Sequence, residues 1–137
     1  MKFKLTKTIA RQFSITLDET GVSEGAEKSI SIENMHVSTR TPDDEETKKF
    51  AISFDVSIKV NVEEVLLINI EYWAFFEADQ VLTEAFLNGH FTSVNAPAIA
   101  FPYLRSFVTN VLVNAGYPAV YLPTINFVEL AKKEISA

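Results

Sequence analysis

The sequence predicts an α+β fold, in which four β-strands are followed by helices. Two patterns carry that expectation. Up to residue 77 apolar and polar residues alternate in long stretches, and beyond Pro97 apolar residues recur in steps of three and four. A third observation bounds the architecture: 137 residues and 15.3 kDa make one ordinary domain. With no internal repeat and no shift in composition, residues 1–137 read as a single domain.

The clearest strand covers residues 50–62. Phe50, Ile52, Phe54, Val56, Ile58, Val60 and Val62 alternate with Ala51, Ser53, Asp55, Ser57, Lys59 and Asn61. Strict period-two alternation puts every large apolar side chain on one face, which suits an antiparallel sheet with its other face in water. Residues 65–77 form the next strand, with Leu66, Ile68, Ile70, Tyr72, Ala74 and Phe76 on one face. Leu67, Asn69, Glu71, Trp73, Phe75 and Glu77 occupy the other, so its second half is apolar on both sides and Trp73 and Phe75 require a second partner. The short link between the two strands suits a hairpin, although no Asn-Gly turn marks it. Upstream, residues 29–39 read as a strand through Ile30 and Ile32, and residues 7–17 through Phe13, Ile15 and Leu17. Residues 18–28, with Gly21 and Gly25, look like a flexible connection, and Pro42 followed by four acids looks like a solvated loop.

After Pro97, Phe101, Leu104, Val108, Val111 and Ala115 mark one face of a long helix. Ile99, Tyr103 and Phe107 lie off that stripe, so the helix is apolar over more than one face and is expected to meet both the sheet and another subunit. Pro102 marks either its start or a break. Gly116 and Pro118 stop it. A last helix is expected from Asn126, which can cap it, with Glu129 three residues on and Ile125 and Leu130 at staple spacing. Residues 79–88 suggest a further short helix ended by Gly89.

The composition excludes several chemistries. A net charge of −6 and only Arg11, Arg40 and Arg105 as arginines argue against a phosphate-backbone partner. The absence of cysteine excludes disulfides, thiolate-bound zinc and thiol catalysis, and fits a reducing compartment. The N-terminal stretch does not read as a signal peptide, and no uninterrupted apolar run approaches a membrane span. The reading is a soluble, cytoplasmic protein without direct membrane insertion. His36 and His90 have no ligand-spaced companions, no Gly-rich phosphate loop or nucleophile elbow occurs, and the acidic pairs fall in solvated turns. No catalytic residue, metal site or cofactor is expected, and the protein is not read as an enzyme. What stands out is eleven Phe in 137 residues under an acidic shell. Each Phe must be buried in the core, in an interface or against a ligand.

The C-terminal half resembles a known family. His90-Phe91-Thr92-Ser93-Val94-Asn95-Ala96-Pro97, then Phe101-Pro102-Tyr103-Leu104-Arg105, is similar to the SecB family of export chaperones, with His seven residues before Pro and an FPYAR-like motif opening a long helix. Asn114-Ala115-Gly116-Tyr117-Pro118 looks like that family's helix stop. Tyr121-Leu122-Pro123-Thr124-Ile125-Asn126-Phe127 looks like the segment before its last helix. The likeness covers roughly residues 50–135. The family's Pro-containing N-terminal signature and acidic tail have no counterpart.

The resemblance implies a four-stranded antiparallel sheet with a long helix and a shorter C-terminal helix packed on one face. It also implies a homo-oligomer, a dimer of dimers, and the two-faced helix independently puts Tyr103, Phe107 and Val111 at the interface. The resemblance implies an ATP-independent holdase for unfolded or precursor polypeptides, with Phe127 at the client groove through the matched Asn-Phe position; Trp73, Phe75, Tyr121 and Leu122 are expected there from their exposure and adjacency. The family's acidic docking position for the SecA motor falls at Asn69 or Glu71. The absent signature leaves the SecA partnership open, and a second expectation stands beside it: an interaction protein guarding one partner such as an antitoxin. A small-ligand module or enzyme on the Trp73 and Phe75 side is the third reading.

Overall fold

The computed structural model describes residues 2–19, 28–42 and 47–136. The connection carrying Gly21 and Gly25 and the acids at 43–46 lie outside the described residues. Four strands form one antiparallel sheet: β1 (Phe3–Leu17), β2 (Ser29–Arg40), β3 (Lys49–Val62) and β4 (Glu64–Ala78), in the order β1-β4-β3-β2. The two strands with the clearest alternation, β3 and β4, are the central pair. Their hairpin closes through Glu63, which takes a positive φ of 83°.

Residues paired across an antiparallel sheet share a face, so the register sorts the side chains. One face carries the alternate residues of β3 from Phe50 to Val62 and of β4 from Leu66 to Ala78, all buried. β1 begins at Phe3, four residues earlier than its alternation suggests. Register shifts at Thr6 and Arg11 explain why. Each adds one residue to the strand and reverses its phase, as a β-bulge does. Phe3 and Leu5 therefore share the buried face with Thr8 and Ala10, and then with Phe13, Ile15 and Leu17. A similar shift at Glu33 separates Ile30 and Ile32 from Met35 and Val37 in β2.

The helices cover that same face. α1 (Glu84–Leu87) is a single turn within the expected 79–88, capped by Thr83, whose Oγ1 accepts from the Phe86 amide at 3.1 Å. A π-helical turn at Phe91–Asn95 leads directly into α2 (Ala96–Asn114). The buried Thr92 ties this junction, its Oγ1 donating to the Leu87 carbonyl at 2.8 Å. Pro97 sits in the first turn of α2, where its missing N–H costs nothing. Pro102 neither starts nor breaks the helix; α2 runs through it with Pro102 on the exposed side.

The buried stripe of α2 is Ala100, Phe101, Leu104, Val108 and Leu112. It drifts to Leu112 where Val111 and Ala115 were expected, because Val111 is half-buried and Ala115 exposed. Phe101 meets Phe54 of β3, and Phe107 packs between Phe13 of β1 and Tyr72 of β4. The helix ends as anticipated at Gly116, with φ of 98°. The Tyr117 amide donates to Leu112 and the Gly116 amide to Val113, a Schellman closure. An extended segment follows, in which Val120 and Leu122 are buried and Tyr121 faces out. The buried Thr109 Oγ1 holds it, donating to the Val120 carbonyl at 2.8 Å. α3 (Phe127–Ser136) begins under Asn126, whose Oδ1 accepts from the amides of Val128 and Glu129. By length and composition the helical run from Glu84 to Asn114 could cross a bilayer, but 44% of its most apolar window is buried inside the fold.

Candidate functional site

All helices lie on one face of the sheet, so the other face is left open. Phe75 and Trp73 of β4 lie there with their rings 6.0 Å apart, half-buried over Ala51 and Ser53 of β3. Ile9 of β1 stands opposite Trp73, 37% exposed. The indole is held from several sides. Its Nε1 donates to Glu71 Oε1 at 2.9 Å. The Arg11 guanidinium lies 4.2 Å from the ring centroid and that of Arg40 lies 5.3 Å away, both within cation–π range. Arg40 Nε also donates to Ser53 Oγ at 3.3 Å. Lys7 Nζ lies 5.8 Å from the centre of the Phe75 ring.

Beside these rings a cleft of about 820 Å³ crosses the end of the sheet. Every strand contributes: Lys7 from β1, Phe75 and Glu77 from β4, Lys49 and Ala51 from β3, and Arg40 from β2. Sequence periodicity placed Trp73 and Phe75 on this side. It had no means of finding Arg11 and Arg40, which reach the indole through the pairing register of two edge strands far apart in sequence.

The expected client-groove residues therefore separate. Trp73 and Phe75 share the open face. Tyr121 is 64% exposed but stands on the extended segment after α2, between the buried Val120 and Leu122. Leu122 and Phe127 are taken up by the chain's own core, at 0% and 6% exposure, with Phe127 packed on Phe54 and Phe101. The five residues expected at the groove thus lie apart in the structure, and the alternation that turns Tyr121 outward turns Leu122 inward.

The interface residues separate too. Tyr103 is 51% exposed, and Ile99 and Val113 are exposed on the same helix. Phe107 is half-buried against Phe13 and Tyr72 of its own chain, and Val111 is half-buried as well. Asn69 and Glu71 lie on the open sheet face, where Asn69 Oδ1 accepts from Ser57 Oγ and Glu71 holds the indole. His36 stands across from Asp55 in β2, and His90 is exposed before the π turn. Among the described residues no three His, Cys, Asp or Glu side chains are grouped to hold a metal.

Comparison with known proteins fixes what this arrangement is. Residues 3–137 match the family described as SecB, preprotein translocase subunit SecB. The chain belongs to the SecB family. That family is one of protein-export chaperones, not of enzymes. A protein-export protein SecB of Roseobacter denitrificans is 22% identical over 90% of this chain and 74% of its own length. A protein-export protein SecB of Verminephrobacter eiseniae is 33% identical over 64% of this chain. An uncharacterised protein of Methanocaldococcus jannaschii is 40% identical over 43% of this chain. The chain spans 37% of that archaeal relative and 56% of the Verminephrobacter SecB.

Among solved structures, a Mycobacterium tuberculosis SecB-like chaperone in complex with a ChAD peptide from the HigA1 antitoxin superposes with a TM-score of 0.70. It is 12% identical, and the match covers 90% of both chains. A Streptococcus agalactiae protein of unknown function superposes at 0.55 with 13% identity. These likenesses bear out the SecB fold expected from the motifs around residues 90–127: four antiparallel strands, a long helix and a short C-terminal helix.

Proposed function

We propose that this SecB-family chain is an ATP-independent holdase, binding non-native polypeptides in the cytoplasm and keeping precursors competent for translocation. The observation that carries the reading is the half-open aromatic pair Trp73 and Phe75 beside a cleft on the helix-free face. An unfolded segment gains by burying apolar side chains there. The outer edges of β1 and β2 offer backbone groups for strand addition. Holding the unfolded state lowers its free concentration and so slows both folding and aggregation. Tyr121 supplies a second exposed aromatic, and the net charge of −6 keeps the loaded complex soluble.

Assembly completes the reading. The outer stripe Ile99, Tyr103 and Val113 on α2 is the surface for a homo-oligomer, a dimer of dimers, with Val111 and Phe107 at its margin. Asn69 and Glu71, on the polar part of the open face, are the positions at which SecA would dock. The test is light scattering of an aggregating reporter. Stoichiometric protein is expected to suppress the signal, and Trp73→Ser with Phe75→Ser is expected to weaken that suppression. No suppression by the wild-type protein overturns the reading.

A second reading has its own support in the structural neighbour, which carries an antitoxin peptide. On that reading the chain guards one dedicated partner and is not coupled to SecA. A competition experiment separates the two: one partner displacing every client marks a guard, and mutual displacement among many clients marks a general holdase.

A further inference from the structure

The open face is aromatic, and at its cleft end it is also positively charged, in a chain whose net charge is −6. Lys7, Arg40 and Lys49 line the cleft, with Lys4 across from Glu77 and Arg11 on the indole, against three carboxylates on this face, Asp55, Glu71 and Glu77. Glu71 is already bonded to the indole. Among the described residues no carboxylate lies within ion-pair distance of Arg11 or Arg40; both lie on the Trp73 ring, and Arg40 donates to Ser53. A face built only to take apolar segments has no need of two guanidinium groups on its one indole. The two guanidinium groups, with the Lys7 and Lys49 ammonium groups that line the cleft, instead suit a ligand that brings carboxylates beside an apolar side chain.

The dimensions narrow the occupant. Lys7 lies on β1, as does Arg11 beside the cleft on the Trp73 ring, whereas Arg40 lies on β2 and Lys49 on β3, with Trp73 and Phe75 on β4 between them. Three strand spacings separate β1 from β2, about 14 Å in all. An extended chain advances about 3.3 Å per residue, so four residues cover that width. We propose that this cleft docks an extended acidic segment lying across the strands, with carboxylates at positions i and i+4 and an apolar side chain between them on Trp73 and Phe75. The proposal rests on the reading of this face as a polypeptide-binding surface and adds a charge requirement to it. General client capture on the same aromatics does not demand acids.

Trp73 is the only tryptophan, so its fluorescence reports on the site directly. The experiment titrates the full chain with three capped peptides carrying Asp-Ser-Leu-Ser-Asp, Asn-Ser-Leu-Ser-Asn and Lys-Ser-Leu-Ser-Lys. The acidic peptide is expected to bind about tenfold more tightly than the Asn peptide, the effect of two exposed charge pairs. The preference is expected to shrink to about twofold or less in 1 M NaCl, where charges are screened. Arg11→Gln with Arg40→Gln, both exposed side chains, is expected to abolish the preference while lowering the melting midpoint by only about 5 °C, the loss of two exposed cation–π contacts. Equal or weaker binding of the acidic peptide overturns the proposal, as does a preference that survives the double substitution. Competition by free sulfate or glutamate as strong as that of the peptide overturns it too, since the site would then take small anions alone. Client capture is read separately, in the aggregation assay. Suppression without an acidic preference rejects this inference alone, and an acidic preference without suppression rejects the holdase reading alone.

Discussion

Thr109 shows how one side chain can place a segment. It is a buried polar residue on α2, and its only polar group is spent on the Val120 carbonyl at 2.8 Å. Thr109→Val keeps the volume but leaves that carbonyl buried and unpaired, at a cost of about 1–3 kcal/mol. Urea unfolding is expected to show a midpoint lowered accordingly. The bond is not readable in advance, because a Thr in a helix more often bonds its own backbone. Glu63 is the opposite case, a residue tolerated against its preference. A left-handed backbone costs a side-chain-bearing residue about 1–2 kcal/mol, and Asn bears it more readily. Glu63→Asn is therefore expected to raise the melting midpoint. The turn lacks the Asn-Gly signature because this hairpin is held by the long β3–β4 pairing on either side of it.

At the scale of elements, β1 marks the limit of reading by period. Its alternation is regular only from Phe13 to Leu17, where the pattern is uninterrupted by a bulge. Two bulges reverse the phase twice, so Phe3 and Leu5 look unrelated to the strand they begin. Phe3 in turn organises an aromatic cluster. It stacks on Phe86 at 4.9 Å and Phe91 at 4.4 Å, and meets Phe50 edge-on at 6.4 Å. Phe50 stacks on Phe76 at 5.1 Å. The start of the sheet is thereby fastened to α1 and the π turn. A fully buried Phe costs about 3–5 kcal/mol on truncation; Phe3 is half-buried, so Phe3→Ala is expected to cost about 2 kcal/mol in equilibrium denaturation. Hydrogen exchange should show the loss concentrated in residues 84–95. The helix stop at Gly116 and the cap at Asn126 were legible because both are local chemistry. The π turn at Phe91–Asn95 was not, since no short pattern separates it from a loop.

For the whole molecule, the surplus of Phe divides by location. Most of the rings lie between the sheet and the helices, including Phe107 and Phe127. Among the described residues, those open to partners include Trp73, Phe75 and Ile9 on the open face, Tyr121 after α2, and the α2 stripe of Ile99, Tyr103 and Val113. An exposed apolar stripe on a central helix is the mark of a subunit contact. Ile99→Glu with Tyr103→Glu is expected to reduce the proposed oligomer to a smaller species by multi-angle light scattering, with the circular dichroism spectrum unchanged. A wild-type protein that is already monomeric at micromolar concentration contradicts the assembly.

The sequence by itself determined the order of strands and helices, the buried faces of β3 and β4, the caps of α2 and α3 and the SecB resemblance. Each of these depends on neighbours a few positions apart, where period and capping chemistry act. Only the tertiary structure decided which face the helices cover, that Leu122 and Phe127 belong to the core, and that Arg11 and Arg40 converge on Trp73. Those outcomes depend on strand order, on bulges and on the course of the chain after α2. They are long-range packing choices, and no window of local sequence contains both of the residues that make each contact.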